Sequence, residues 1–142
     1  MANIRVVLVD DHAVVRSHVR RILQRVPGIE VVGEAGNGIE AIHLVNQLAP
    51  DVLLLDMEMP ILNGVEVARE LHAANSPVRI LALSAYDDRH YVLEMLANGA
   101  AGYLTKDEMP QFIIEAVRRV AEGEQGWFSQ RAAAQVATGQ QE

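Results

Sequence analysis

The stretch Ile4-Arg5-Val6-Val7-Leu8-Val9, which leads directly into Asp10-Asp11, decides the class of fold. Short runs of mostly apolar, β-branched residues are typical of strands that are buried on both faces of a parallel sheet. Polar residues at the end of such a strand lie at the sheet edge where parallel α/β folds bind their ligands. The stretch therefore predicts a buried first strand with two carboxylates at its functional end.

The same alternation of an apolar run and a helical stripe continues along the chain. Further strands are predicted at Ile29–Ala35, Val52–Leu55, Val78–Leu83 and Ala101–Leu104. Each of the five strands is followed by apolar residues at the spacing of an amphipathic helix. Short helical crossovers make the strands parallel and put helices on both faces of the sheet. We therefore predict an α/β fold, a doubly wound (βα)5 sandwich around a five-stranded parallel sheet.

The composition excludes several classes of protein. The chain has 142 residues, the size of one domain, and its 12 basic and 19 acidic residues give a net charge of −7. An acidic domain repels phosphate backbones and is a poor nucleic-acid binder by itself. The absence of cysteine excludes disulfides and Cys-ligated zinc. The apolar runs are too short to span a membrane, and charges at positions 10 and 11 interrupt any secretory signal, so we expect a cytoplasmic protein.

The last eighteen residues differ from the rest. Residues 125–142 are rich in Ala and Gln and show little apolar periodicity, which predicts either one more loose helix or a partly disordered segment. Trp127, the one tryptophan, is interpreted as a packed or half-buried anchor. We expect residues 1–124 to form the domain and residues 125–142 to be a linker or C-terminal tail.

Polar residues at the ends of the predicted strands form the candidate site. Asp10 and Asp11 follow the first strand, Asp56 the third, Ser84 the fourth, and Lys106 lies just beyond the fifth. Three neighbouring carboxylates repel one another, and a bound cation relieves that repulsion. Oxygen ligands favour Mg²⁺, which also neutralises charge on an incoming phosphoryl group. With a hydroxyl and an ammonium group to contact phosphoryl oxygens, the set fits phosphoryl transfer to an aspartate.

Taken singly, each of these residues has an ordinary structural interpretation. Asp10 or Asp11 could cap the first helix, and Asp107 is predicted to cap the fifth. Ser84 alone would be a loop residue, and Lys106 alone would be solvated. The joint occurrence of all five polar residues, each after the proper strand, favours the functional interpretation. The five histidines lack ligand spacing and are predicted to be surface residues: His12, His18, His43, His72 and His90.

Several segments resemble the motifs of the response-regulator receiver domain. The resemblance covers about residues 3–123 and implies the flavodoxin-like strand order 2-1-3-4-5. Three segments are similar to the NarL/FixJ (LuxR-type) transcriptional regulators: Gly33-Glu34-Ala35, Gly99-Ala100-Ala101-Gly102-Tyr103 and Lys106-Asp107, where many other receivers have proline after the lysine. The matching motifs are Val9–His12, Leu55–Pro60, Asn63-Gly64, Leu83–Ala85 and Gly102–Asp107.

The resemblance implies a role for each residue of the site. Asp56 would be the phosphoacceptor, to which a histidine kinase donates the phosphoryl group. Asp10, Asp11, Asp56 and the backbone carbonyl of Glu58 would hold Mg²⁺, and Lys106 would bind the phosphoryl group.

The resemblance also implies a switch and its output. Ser84 and Tyr103 would move together on phosphorylation, while Glu58 and Tyr86 occupy positions that tune the rate of dephosphorylation. A homodimer is expected, through helix four, strand five and helix five or through helix one and helix five. DNA would be bound only by a helix-turn-helix output domain that is absent from this chain. An excised receiver and a natural single-domain regulator both stay open.

Two alternatives fit the sequence less well. A haloacid-dehalogenase-type phosphatase also uses a strand-end Asp with an acid two residues later, as in Asp56 and Glu58. In that class, however, no acidic pair precedes the nucleophile as Asp10 and Asp11 do here, and 142 residues leave no room for a cap domain. A pseudo-receiver, which is an interaction module without the chemistry, should lack one of the essential residues, and none is missing.

Overall fold

A computed structural model describes residues 3–140 of the chain. Within that range it has six strands and six helices in alternation, and the five predicted strands and five predicted helices are all present. The strands are β1 (Ile4–Val9), β2 (Ile29–Ala35), β3 (Val52–Leu55), β4 (Arg79–Ser84), β5 (Gly102–Thr105) and β6 (Trp127–Phe128). The helices are α1 (Ala13–Gln24), α2 (Gly38–Leu48), α3 (Gly64–Ala73), α4 (Arg89–Ala97), α5 (Pro110–Ala121) and α6 (Gln130–Gln140).

All neighbouring strands of the sheet are parallel, in the order β2-β1-β3-β4-β5-β6. The doubly wound class and the predicted order of the first five strands are therefore confirmed. The difference is a sixth strand, in which Trp127 pairs with Gly102 and Phe128 with Tyr103. A side chain at position 102 would overlap the carbonyl oxygen of Trp127, so the close approach of β6 requires glycine there.

Two hydrophobic cores lie on opposite faces of the sheet. Alternate strand residues point to opposite faces, so Val7 and Leu53 belong to one core while Val6 and Leu54 belong to the other. The first core also contains buried residues of α2, α3, α4 and α6, and the second contains those of α1 and α5. Burial on both faces explains why the strand sequences are apolar runs rather than alternating patterns.

The predicted cap of the fifth helix is wrong, and neither of the two possible caps of the first helix is at its cap position. The cap of α5 is Met109, because Pro110 occupies the first helical position, where its fixed φ and missing N–H suit a helix start. Asp107 therefore lies too early in the chain to cap α5. At α1 the cap position is His12, without a side-chain capping bond. The carboxylate of Asp10 instead accepts a hydrogen bond from the His12 backbone N–H at 2.8 Å.

The segment after α5 folds onto the face that carries α4. Ala132 of α6 is completely buried, and Phe128 and Val136 pack against the same core. The hydroxyl of Ser129, between β6 and α6, accepts a hydrogen bond from the Thr105 backbone N–H at 3.2 Å. Of the two alternatives for the chain end, the structure shows the additional helix over residues 130–140. Among the described residues, no helix combines the length and apolar character that a membrane crossing requires.

Candidate functional site

The structure brings the three aspartates together at the carboxyl ends of β1 and β3. Hydrogen bonds extend the sheet one residue beyond each strand, from Asp56 N–H to the Val9 carbonyl at 3.0 Å and from Asp10 N–H to the Ala35 carbonyl at 3.1 Å. This pairing buries Asp10 and Asp56, whereas Asp11 is exposed beside them. Each of the three aspartates contributes a carboxylate oxygen to a group of atoms that lie within 4.8 Å of one another.

Lys106 lies against two of these carboxylates. Its Nζ is 2.6 Å from Oδ2 of Asp10 and 3.3 Å from Oδ2 of Asp56, and its side chain is only 17% exposed. Lys106 is placed there because its backbone N–H donates to the Ser84 carbonyl, which continues the pairing of β4 and β5. The ammonium group thus offsets part of the repulsion among the carboxylates.

The Asp56 carboxyl group has a raised pKa. Burial is the main cause, and the neighbouring Asp10 carboxylate raises the pKa further above its ordinary value of 3.8. The Lys106 charge and the Met57 backbone N–H, which donates to Asp56 Oδ1 at 2.8 Å, lower it. The repulsion and the desolvation at Asp56 are therefore only partly compensated by protein groups.

Glycine is required where α3 meets the end of β3. The Gly64 N–H donates to the Met57 carbonyl at 2.8 Å, and any side chain at position 64 would overlap the backbone oxygen of Asp56. Asn63 and Glu66 cap α3 reciprocally, which fixes the helix start at this point. The Asn63-Gly64 motif thus sets the position of the turn that carries Asp56.

Ser84 and Tyr103 are both buried and both contact the backbone of Tyr86. The Ser84 Oγ accepts a hydrogen bond from the Tyr86 N–H at 3.1 Å, and the Tyr103 hydroxyl donates to the Tyr86 carbonyl. Burial is the main cause that raises the pKa of Tyr103, which keeps its hydroxyl protonated and able to donate. The loop after β4 therefore links the two side chains.

The side chains of Glu58 and Tyr86 contact each other, and the Asp56 charge also acts on the Tyr86 phenol. A hydrogen bond to the Glu58 carboxylate, together with its charge, raises the pKa of the Tyr86 phenol. Both residues are exposed, with Tyr86 at 42%. Glu58 also lines an open cleft with Asp11, Asn63 and Tyr91. Glu58 therefore contacts Tyr86 and also lies at this cleft beside Asp11.

The oxygen donors of this group fit Mg²⁺. The ligand atoms available from Asp10, Asp11 and Asp56 are carboxylate oxygens, the type that a hard divalent cation prefers. Their mutual repulsion is also the kind that a cation relieves. The one nitrogen donor in the group belongs to His12.

Two contacts at the site were not anticipated from the sequence. All five histidines are exposed, as predicted, but His12 Nδ1 also lies 3.1 Å from Asp11 Oδ1 and 3.4 Å from Asp10 Oδ1. The position of His12 directly after the two aspartates is the sequence feature that could have predicted this contact. Arg131 of α6 lies 3.2 Å from Asp87 and 3.4 Å from Asp107, which follow Ser84 and Lys106 in the chain. No local sequence pattern indicates the contacts of Arg131.

Comparison with known proteins identifies the family. The response regulator receiver domain model matches residues 6–118. The transcriptional regulatory protein DegU of Brevibacillus brevis is 44% identical over 120 residues, which are 84% of this chain and 51% of DegU. The chain thus spans about half the length of the curated relatives that it matches.

Solved structures agree with this match. The signal receiver domain of the response regulator NarL from Mycobacterium tuberculosis is 40% identical, with a TM-score of 0.84 over 87% of this chain and 100% of that one. A LuxR-family two-component response regulator from Aurantimonas sp. SI85-9A1 is 30% identical, with a TM-score of 0.89 over 99% of this chain and 100% of that one. The chain therefore belongs to the response regulator receiver domain family and is a receiver of the NarL/LuxR type, a signalling domain of two-component systems.

Proposed function

We propose that Asp56 accepts a phosphoryl group from the phosphohistidine of a histidine kinase in a Mg²⁺-dependent reaction. The observation that carries this proposal is the convergence of Asp10, Asp11 and Lys106 on the buried carboxylate of Asp56. A cationic side chain and an acidic metal-binding group around one carboxylate are what phosphoryl transfer to that carboxylate needs.

Each residue around Asp56 has a distinct role in this reaction. Asp10, Asp11, Asp56 and the backbone carbonyl of Glu58 would hold Mg²⁺. When bound, the ion would neutralise negative charge on the phosphoryl oxygens. The carboxylate donor set supports this assignment. Lys106 forms an ion pair with a further phosphoryl oxygen, for which its Nζ is already at 3.3 Å from Asp56.

The Oδ2 atom of Asp56 is the nucleophile. Oδ1 accepts a hydrogen bond from the Met57 N–H at 2.8 Å, whereas Oδ2 lies 3.3 Å from Lys106 Nζ. Oδ2 attacks phosphorus, and a new P–O bond forms as the P–N bond to the donor imidazole breaks. The electron pair of the broken bond returns to the imidazole ring, and the product is an aspartyl phosphate.

Phosphorylation then shifts a conformational equilibrium. The new phosphoryl oxygens accept hydrogen bonds from the Ser84 hydroxyl and from Lys106, which favours the state in which both reach the group. Tyr103 follows Ser84 because both contact the Tyr86 backbone. Glu58 and Tyr86 tune the lifetime of the aspartyl phosphate, since their exposed side chains contact each other and Tyr86 lies near enough to Asp56 to feel its charge.

The output is proposed to be control of transcription in the cytoplasm. DegU is named a transcriptional regulatory protein, and this chain spans about half of it. We propose that residues 1–124 are the receiver and that residues 125–142 lead towards a DNA-binding output domain. Phosphorylation would favour a homodimer through α4, β5 and α5 or through α1 and α5. The receiver acts as a signalling domain rather than as an enzyme with a separate substrate, and the similarities favour neither alternative function.

Mass spectrometry of the intact protein tests the assignment of Asp56. After incubation with Mg²⁺ and acetyl phosphate, we expect a single phosphoryl adduct that is absent from Asp56→Asn and from a sample containing EDTA. No adduct in any sample would support the pseudo-receiver. An equal adduct in the variant would show that another residue is the acceptor, and repeated turnover of a phosphomonoester would support the phosphatase.

A further inference from the structure

Arg16 of α1 makes a contact that links the acidic turn to the sheet. Its Nη1 donates to the backbone carbonyl of Asp10 at 2.5 Å, and its Nε donates to Glu34 Oε1 at 3.1 Å. Asp10 is the first residue of the three-residue turn between β1 and α1, and Glu34 is a residue of β2. The guanidinium group therefore connects three consecutive elements at the metal-binding edge.

Glu34 fixes the orientation of this guanidinium group. Its second oxygen accepts a hydrogen bond from Arg20 Nη1 at 2.8 Å, so one carboxylate holds two arginines of α1. The Arg16 and Glu34 side chains are only 23% and 26% exposed. A planar guanidinium group can donate in two fixed directions at once, which is what the Asp10 carbonyl and the Glu34 carboxylate require.

Other restraints on the acidic turn act on Asp10, whose N–H donates to the Ala35 carbonyl at 3.1 Å and whose carboxylate lies 2.6 Å from Lys106 Nζ. The helix α1 has no side-chain cap, and the Asp10 carboxylate accepts from the His12 N–H within the turn itself. The Arg16 contact is the hydrogen bond that ties the turn to a side chain held by a neighbouring strand. Asp11, which is exposed, depends on this turn for its position near Asp56.

We propose that Arg16, oriented by Glu34, is a positioning residue that holds the Asp10-Asp11 turn in the geometry that binds Mg²⁺. This inference rests on the proposed function. Arg16 acts through the Asp10 backbone and contacts neither the metal ion nor the phosphoryl group. Partners that orient metal ligands in this way contribute roughly 10-fold or more to metal affinity.

The direction in which Mg²⁺ affinity changes when Arg16 is replaced distinguishes a positioning role from a purely electrostatic effect. A cationic side chain beside a cation site repels the ion, so loss of its charge alone should tighten Mg²⁺ binding. Loss of positioning should weaken it. Arg20→Gln is the matched control, because it removes the same charge from the same Glu34 carboxylate while the contact between Arg16 and Asp10 is retained.

Mg²⁺ titrations of the full chain, followed by NMR amide shifts of residues 10, 11 and 56, test the proposal. We expect Arg16→Gln to raise the dissociation constant roughly 10-fold. Arg16→Lys should give an intermediate value, because lysine keeps the charge but not the fork of donors. Arg20→Gln should leave the constant unchanged or lower it. At saturating Mg²⁺, the initial rate with acetyl phosphate should recover to within about threefold of wild type in all variants.

Two results would overturn the inference while the proposed function stands. One is equal or tighter Mg²⁺ binding by Arg16→Gln, and the other is equal weakening by Arg20→Gln, which would indicate a general loss of structure. Urea unfolding without Mg²⁺ identifies such a loss directly, and Arg16→Lys provides the comparison if Arg16→Gln does not fold. Absence of Mg²⁺ binding by the wild-type chain would instead overturn the proposed function, and the inference with it.

Discussion

At the scale of single residues, the site is organised by charges that are incompletely balanced. Asp56 is buried and lies near Asp10, while Lys106 is the one cationic side chain within ion-pair distance of both among the described residues. Desolvation and like charge outweigh this ion pair, because the pKa of Asp56 is raised. The folded state therefore bears an electrostatic cost, which a bound cation would relieve.

The variant Asp56→Asn should accordingly be more stable than wild type in the absence of Mg²⁺. A carboxyl with a raised pKa in the folded state binds its proton more tightly there than in the unfolded chain. Stability is therefore lost as pH rises from the ordinary value of 3.8 through the folded pKa. We expect the variant to have a higher free energy of unfolding than wild type at pH 7 and to differ little from wild type at pH 4.

Urea unfolding at both pH values, with EDTA present, measures this difference. The exposed Asp51→Asn is the matched control, since it makes the same substitution outside the site. A loss of stability in Asp56→Asn at pH 7 would contradict the prediction. It would mean that the hydrogen bonds of the carboxylate to Lys106 and Met57 outweigh its burial.

At the scale of elements, β6 and α6 are the main departure from the (βα)5 plan. The edge of β5 pairs with β6, and α6 covers part of the α4 face of the sheet. The buried apolar surface of α6 is small. Among the α6 residues whose side chains are described, Ala132 is the one that is fully buried. A helix with only one fully buried side chain in its described part should open separately from the rest of the fold.

We therefore expect Ala132→Asp to detach α6 without unfolding the domain. A carboxylate at this buried position would have no partner, and moving it to solvent costs only the α6 contacts. Hydrogen exchange should accelerate at least about tenfold in residues 130–137, with β1 and β3 unaffected. Ala133→Asp is the control, because Ala133 is exposed on the same helix. Unchanged exchange in Ala132→Asp, or equal acceleration in both variants, would contradict the docking of α6.

At the scale of the whole molecule, the fold connects the candidate site to the face of the sheet that carries α4 and α6. Ser84 is the last residue of β4 and Lys106 follows β5 at the site, while Tyr103 belongs to the same core as the buried residues of α4 and α6. The Tyr86 backbone links Ser84 to Tyr103. To move a two-state equilibrium from 1:99 to 99:1 takes about 5.5 kcal/mol. A few charge-assisted hydrogen bonds of about 1.5–3 kcal/mol each are sufficient for that.

A beryllofluoride adduct at Asp56 should produce this shift without chemistry. With Mg²⁺ present, we expect NMR amide shifts to change at Ser84, Lys106, Tyr103 and along α4, and to stay constant at the opposite end of the sheet. Asp56→Asn under the same conditions is the control. Changes confined to the residues next to Asp56 would contradict a transmitted switch, because they would show binding without rearrangement.

Local sequence patterns predict the helices, the strands and the sheet edge at which the candidate site lies. Apolar runs and helical stripes are local signals, and short crossovers leave little choice but parallel strands. The convergence of Asp10, Asp56, Ser84 and Lys106 then follows from topology, because the carboxyl ends of parallel strands share one edge. These predictions needed no knowledge of any particular contact.

Which side chains contact one another across elements depends on the folded structure. The Lys106 contact with Asp10, the Arg16 bridge between Asp10 and Glu34, and the docking of α6 join residues from different elements. Helix and strand periodicity has no information on such pairs, since it reports the local environment of one segment at a time. An Ala-rich helix with one fully buried residue has almost no periodic signal, so its place in the fold depends on the surface that the other elements create.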